Sequence, residues 1–519
     1  MGLTNRSLAD VVLGGETTSG ALLARRAAQV AQGLVDMGVG EGDVIALMLR
    51  NDLPYLELMQ ACRIVGCYFC QVNWHLTASE VAYILDDSGA KALFVHQDLL
   101  PPIAQAIPAQ VRVFAVRPHA CVSLAYPAAG GHATTVSGAI DYASWVDSRQ
   151  PFSGPPRVPV GAMGYTSGTT GRPKGVQRLP AAPGRRAAQA QRMHAMVEQA
   201  YGLRPGARAY MCAPLYHGAP CLFTREALRM GELLVLDPRF DAERVLASVD
   251  RHKIDVLYLV PAMFVRLLAL PEGVRRRYDL GSVRFVACTG SPCAPAVKTA
   301  MLDWWGPVIH ETYAATELGL VTVAAPELAR RKPGSVGRPI GDAVVRIFSA
   351  DGHPCAPAEV GLIHAWQPAY GDFTYRGNPA ARAAIEHEGL VTLGDMGYLD
   401  QDGDLFVCDR ASDMVISGGV NIYPAEIEHA LAQLPEVGDC AVFGIPDAEY
   451  GEALLAEVEL APGCLIGADA ILDHLRKQLA GYKVPRRIEI VPALPRDENG
   501  KVAKRKLREP YWAGQARRI

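Results

Sequence analysis

Long apolar runs are missing from this sequence: no stretch of about 18 uncharged apolar residues occurs, which argues against a membrane-spanning helix. Met1 to Asp10 holds no apolar segment of signal-peptide length, and Arg6 stands where myristoylation of Gly2 needs a hydroxyl. A marked excess of either charge is missing as well: 51 lysines and arginines stand against 54 aspartates and glutamates. The formal net charge is -3, and the only basic run is Lys501 to Arg508, so a general nucleic-acid binder is disfavoured. Of 12 cysteines only Cys67 and Cys70 stand at C-x-x-C spacing, in an apolar run without a second pair or a histidine at zinc-site spacing. They read as buried structural thiols, and scattered free thiols fit a reducing cytoplasm. A Gly-Lys-Ser/Thr phosphate loop and a Gly-x-Ser-x-Gly elbow are both absent, which disfavours P-loop kinases, GTPases and an amidase-like serine hydrolase.

What remains is enzyme-like. With 519 residues, 50% hydrophobic and 20% charged, the chain is too long for one core, and each of at least two domains should bury roughly 70% or more of its unfolded surface. Leu23, Ala27, Val30, Leu34 and Met37 recur at helical spacing up to Gly38, and a strand over Val44 to Leu49 follows. A helix from Tyr55, a strand at Tyr68 to Val72, a helix from Ser79 to Leu85 and a strand at Lys91 to Val95 continue the alternation. The same pattern resumes from Ala187 to Trp304, so the fold class is α/β with mainly parallel sheets covered on both faces. Ala125 to Pro159, rich in Gly, Pro, Ala and Ser, reads as an irregular crossing.

One stretch organises the chain. Tyr165 to Val176 packs Thr166, Ser167, Thr169 and Thr170, the glycines Gly168, Gly171 and Gly175, and Lys174 into one loop. Glycine lets the backbone approach oxygens closely, successive N–H groups form an anion-binding concavity, and lysine adds a mobile cation. The composition suits a polyphosphate. The stretch resembles the phosphate loop of the adenylate-forming superfamily, which includes acyl-CoA synthetases, luciferases and nonribosomal adenylation domains.

Further boxes extend the resemblance from about Ala21 to Arg508. Tyr313-Ala314-Ala315-Thr316-Glu317, placed after a strand over Pro307 to His310, is similar to the family's Tyr-Gly-x-Thr-Glu box. That likeness implies Tyr313 on adenine, Thr316 at the α-phosphate and Mg²⁺ on Glu317 together with Thr166. Ala314 stands where the family has glycine. Gly394-Asp395-Met396-Gly397 resembles the box whose aspartate takes both ribose hydroxyls, with Leu393 in the usual threonine position. Arg410 matches a ribose- and hinge-adjacent arginine, and Ser412 occupies the pivot that is usually aspartate or lysine. Ser417 to Glu426 reads as a strand end opening a helix, with Gly418 and Gly419 implied to line a pantetheine tunnel. Lys501, in Pro-Arg-Asp-Glu-Asn-Gly-Lys, matches the adenylation lysine, and His217 matches a gate between the acyl pocket and the thiol channel.

The resemblance implies a large domain over 1–410 and a mobile α+β lid over 411–519. It implies ATP, Mg²⁺ and coenzyme A as cofactors, a small carboxylic acid as substrate, and a homodimer as the class prior. The reaction would form acyl-AMP and pyrophosphate, then a thioester. Val260 to Phe264, Cys288 to Gly290, Gly218, Ala219, Ala314 and Ala315 are the expected acyl-pocket wall. None of these is charged, which weakens an amino-acid-activating reading and leaves fatty, aryl and alicyclic or sterol-side-chain acids open. Transfer to a carrier-protein phosphopantetheine and an ATP-binding regulator without turnover are the other readings.

Overall fold

The computed structural model describes residues 8–127, 136–155, 157–166, 173–418, 420–496 and 502–513. The apolar runs become strands of two large sheets and a small third one. Eight strands form the first sheet, in the order Phe373–Tyr375, Lys174–Arg178, Ala162–Thr166, Tyr68–Gln71, Val44–Met48, Ala90–His96, Arg112–Val116 and Ile140–Asp141. From Ala162–Thr166 onward neighbours are parallel, while Lys174–Arg178 and Phe373–Tyr375 are antiparallel additions at the other edge. Parallel strands need cover on both faces, and all of Val44–Met48 is buried.

The second sheet has 14 strands. Its parallel half joins Asp10–Leu13, Leu233–Leu236, Arg208–Met211, Val256–Leu259, Phe285–Cys288 and Ile309–Ala315. Antiparallel strands then carry it through Gly319–Ala324, Ser335–Pro339, Leu405–Arg410, Leu390–Leu399, Gly361–Trp366 and Val344–Phe348. Helix Gly20–Asp36 starts where the Ser19 side chain accepts from the Leu22 N–H, and it buries Leu23, Ala27, Val30 and Leu34. Helix Ala78–Ser88 opens with a Thr77/Glu80 capping box.

A separate small C-terminal domain is built on Val415–Ser417, Val420–Ile422, Val437–Asp447, Gly451–Leu460 and Arg487–Val491. Helices Pro424–Leu431 and Ala468–Gln478 close its core with Ile427, Leu431, Ile471 and Leu475.

Three expectations change. The crossing between Ala125 and Pro159 contains a helix, Tyr142–Asp147, whose Tyr142, Trp145 and Val146 are buried. Its Trp145 ring lies so close to Gly33 that a Cβ there would be 2.3 Å away. The Tyr313 box does not follow a strand ending at His310, because the strand runs Ile309–Ala315 and Thr316 and Glu317 form its turn into Gly319–Ala324. Ser417 to Glu426 is first a hairpin, Val415–Ser417 with Val420–Ile422, and only then a helix.

One turn is held by an internal cation. The Lys332 Nζ lies 2.5 Å from Asp400 and 2.6 Å from both Asp402 and Asp404, and these carboxylates hold its pKa well up. All 12 cysteines are free, with Cys67 and Cys70 buried. Among the described residues no helix is long and apolar enough to cross a membrane.

Candidate active site

The hairpin of Ala162–Thr166 and Lys174–Arg178 sets Thr166 directly opposite Lys174. Ser167, Gly168, Thr169 and Thr170 lie between them and outside the described residues, as do Gly419 and Lys501. Gly175 is required locally: a Cβ there would sit 2.9 Å from the Tyr165 ring, whose hydroxyl donates to Asp87 Oδ2 at 2.6 Å. The Lys174 Nζ lies 5.1 Å from the Tyr375 ring centroid, within cation–π range.

Glu317 is the meeting point of three segments. Its Oε1 accepts from Thr166 Oγ1 at 3.1 Å and from the Tyr375 hydroxyl at 3.1 Å, and the residue is only 6% exposed. A single glutamate after a threonine is often a helix-cap feature, but this one stands in a strand-to-strand turn. Thr316 packs beside the phosphate-loop strand, its Cγ2 being 3.2 Å from where a Cβ on Gly164 would be. Burial first, and Glu317 second, push the Tyr375 phenol up, so it stays a donor at neutral pH. Hydroxyl and carboxylate oxygens are the hard donors Mg²⁺ prefers, and Thr166 with Glu317 could hold that ion alongside phosphate oxygens.

A second cluster lies on the antiparallel half of the large sheet. Asp395 and Arg410 are register partners, with Arg410 Nε 3.4 Å from Asp395 Oδ1. The Tyr313 hydroxyl donates to Asp395 Oδ2 at 2.7 Å, and burial with the adjoining carboxylate raises the phenol's pKa. Asp395 is thus a largely covered carboxylate with acceptor capacity left for a diol. Tyr313 lies on the strand Ile309–Ala315, which runs directly into the turn that carries Thr316 and Glu317.

His217 precedes helix Gly218–Met230, and its ring lies 4.4 Å from that of Tyr216. The buried Gln71 bridges it to the loop strand: Nε2 donates to His217 O at 3.3 Å, and Oε1 is 3.8 Å from the Cβ position of Gly164. Of the expected acyl wall, Val260 Cγ1 is 3.8 Å from the Cβ position of Gly290, and Gly218 faces open space. Met263 and Phe264 are buried, and Ala314 packs on the main core.

Beyond Arg410 the Ala411 N–H donates to Gly394 O at 2.7 Å, and Arg508 donates to Ser412 O at 2.8 Å. Gly418 has φ 59°, and a Cβ there would be 3.0 Å from the Tyr450 ring, so both conformation and space favour glycine. The structure therefore gathers Thr166, Glu317 and Lys174 around Tyr375, with Thr316 beside the loop strand, and places Tyr313, Asp395 and Arg410 in a second contact cluster. Sequence spacing singles out neither Tyr375 nor Gln71. Their partners are far away along the chain, and no local spacing marks them.

The family model described as AMP-binding enzyme matches residues 5–371, and that of the AMP-binding enzyme C-terminal domain matches 426–501. A feruloyl-CoA synthase of Amycolatopsis sp is 34% identical over 96% of this chain and 95% of its own length. A fatty acid–[acyl-carrier-protein] ligase, ScoC, of Streptomyces coeruleorubidus is 30% identical over 98% of this chain and 94% of its own. The solved structure of ATP-bound MatB from Rhodopseudomonas palustris superposes with a TM-score of 0.82 at 26% identity, covering 98% of this chain and 97% of that one. The o-succinylbenzoate CoA synthetase MenE from Bacillus subtilis, with its acyl-adenylate, gives 0.79 at 27% identity and covers 97% and 96%. With an α/β body, a small C-terminal domain and both sequence models in register, the chain belongs to the AMP-binding enzyme family of the adenylate-forming superfamily.

Proposed function

We propose that the enzyme activates a carboxylic acid with ATP and passes the acyl group to coenzyme A. The observation that carries this reading is the chain of contacts Thr166–Glu317–Tyr375 beside Tyr313–Asp395–Arg410. A carboxylate is a poor electrophile at neutral pH. Its attack on the α-phosphate of ATP, with pyrophosphate leaving, gives an acyl-adenylate that a thiol can open.

Asp395 takes the ribose hydroxyls, Tyr313 packs on adenine, Arg410 supports Asp395, and Thr316 meets the α-phosphate. Ser167, Gly168, Thr169, Thr170 and Lys174 hold the outer phosphates. Bound on Glu317 and Thr166, Mg²⁺ offsets phosphate charge. Lys501 neutralises the charge that builds during the displacement, and His217 gates the thiol path. Residues 411–519 act as the lid, presenting Lys501 for adenylation and Gly418 and Gly419 for the thiol step. Relatives named for ferulate, indoleacetate and 2-succinylbenzoate favour an aryl acid over the fatty and alicyclic classes. The acyl-carrier-protein ligase among the relatives keeps a carrier phosphopantetheine as the second acceptor.

The test follows AMP and acyl-CoA by mass spectrometry with ATP, Mg²⁺, CoA and a panel of aryl, fatty and alicyclic acids. Lys501→Ala should abolish adenylate formation, and Asp395→Asn should lower kcat/KM for ATP by about tenfold or more, the loss of a charge-assisted hydrogen-bond pair. AMP without acyl-CoA points to a carrier acceptor. Neither product from any acid refutes the proposal.

A further inference from the structure

We propose that Arg178 is a positioning residue for the Thr316–Glu317 turn, holding that turn in the geometry that serves the α-phosphate and the metal. The inference rests on the adenylate-forming reading above and adds a residue that lies outside every box the sequence displays.

Arg178 ends the strand Lys174–Arg178, pairs with Phe373 across the sheet, and spreads its guanidinium between two other segments. One terminal nitrogen donates to Thr316 O at 2.6 Å, the other to Gly371 O at 3.2 Å. The guanidinium carbon lies 4.7 Å from the Tyr370 ring centroid and 5.6 Å from that of Phe373. Tyr370 is itself pressed onto the box hairpin, since a Cβ on Gly319 would come within 2.0 Å of its ring.

These contacts converge on one carboxylate. Thr166, Glu317 and Tyr375 sit on three segments: the strand paired with Arg178's own strand, the turn whose carbonyl Arg178 holds, and the strand that begins two residues after Gly371. Arg178 is where those segments are tied together. Burial lowers its pKa, yet Tyr370, Glu317 and Asp372 favour the cation, and a guanidinium remains charged in proteins. A planar fork can bridge two carbonyls while stacked on aromatic rings; a lysine ammonium on a flexible stem cannot.

Calorimetric binding of adenosine and of ATP across a Mg²⁺ titration separates positioning from general support. Adenosine engages Tyr313 and Asp395 without reaching Thr316, whereas the Mg²⁺ dependence of ATP binding reports Glu317. For Arg178→Met and Arg178→Lys, adenosine affinity is expected to stay within about twofold while the Mg²⁺ half-saturation rises about tenfold, the scale of lost charged hydrogen bonds. Arg382→Met removes the cation 4.7 Å from the Phe373 centroid and should leave both readings unchanged. If Arg178→Met fails to fold, Arg178→Lys carries the comparison. An unchanged Mg²⁺ dependence, or equal losses for adenosine and ATP, overturns the positioning role. Failure of the wild type to bind adenosine or ATP refutes the adenylate reading instead.

Discussion

Lys298 and Glu311, 3% and 5% exposed, form an ion pair beneath the strand that carries Tyr313, and the Cys293 N–H donates to the same carboxylate at 3.2 Å. Burial raises the Glu311 pKa, with Lys298 opposing it. Removing the ammonium strands a buried carboxylate, so Lys298→Met should cost about 3–5 kcal/mol by urea unfolding at pH 7. The pH dependence follows. Without Lys298, Glu311 binds its proton more tightly folded than unfolded, so the variant's stability falls as pH rises through the unfolded carboxylate range toward neutrality. Unfolding at pH 5 should therefore show a smaller deficit than at pH 7. Residues of this kind also mark the limit of what sequence shows. Thr166, Lys174, Glu317 and Asp395 stood out because their neighbours along the chain form recognisable strings. Arg178 and Thr316 are 138 positions apart, and Tyr375 and Glu317 are 58 apart. No local pattern announces such pairs.

At the level of elements, close backbone approach fixes how the box hairpin continues into the antiparallel half of the sheet. Gly337 has φ 87°, and a Cβ there would stand 1.9 Å from Val323 O. The obstacle is backbone in a neighbouring strand and cannot rotate away. Gly337→Ala should destabilise by at least about 2 kcal/mol in thermal or denaturant unfolding, combining left-handed strain with the clash. Elements with long periodic patterns, such as Gly20–Asp36, were legible from spacing alone. Tyr142–Asp147 was not, because six residues give too few turns to display a period and its surroundings are rich in breakers. The strand Ile309–Ala315 read short because polar residues His310, Glu311 and Thr312 interrupt its apolar run, although Glu311 and Thr312 are buried and partnered across the sheet.

For the whole molecule, Lys504 ties residues near the end of the chain to the first helix of the C-terminal domain. It pairs with Glu428 at 2.8 Å, while Asp409 Oδ2, on the strand Leu405–Arg410 of the large sheet, accepts from Ala425 N at 2.9 Å. Both members of the pair remain about a fifth exposed, so Lys504→Met is expected to cost roughly 2 kcal/mol, less than a fully dry pair. Scanning calorimetry should show that loss in the transition of the C-terminal domain, with the large domain's transition unmoved. The existence of two domains followed from length, but not the long-range pairing within the large one. Its N-terminal strand Asp10–Leu13 joins Leu233–Leu236, a pairing no local signal encodes.

The turn around Lys332 has the acidic spacing of a calcium loop, yet its cation is carried on a covalent tether. Such an ion is never lost to dilution and no chelating agent can extract it. EDTA should therefore leave this corner of the fold intact at concentrations that strip the Mg²⁺ proposed for Glu317 and Thr166. What a chelator does to a calcium loop can be done here only by strong acid, which titrates the lowered carboxyls of Asp400 and Asp404, or by a reagent that caps the amine.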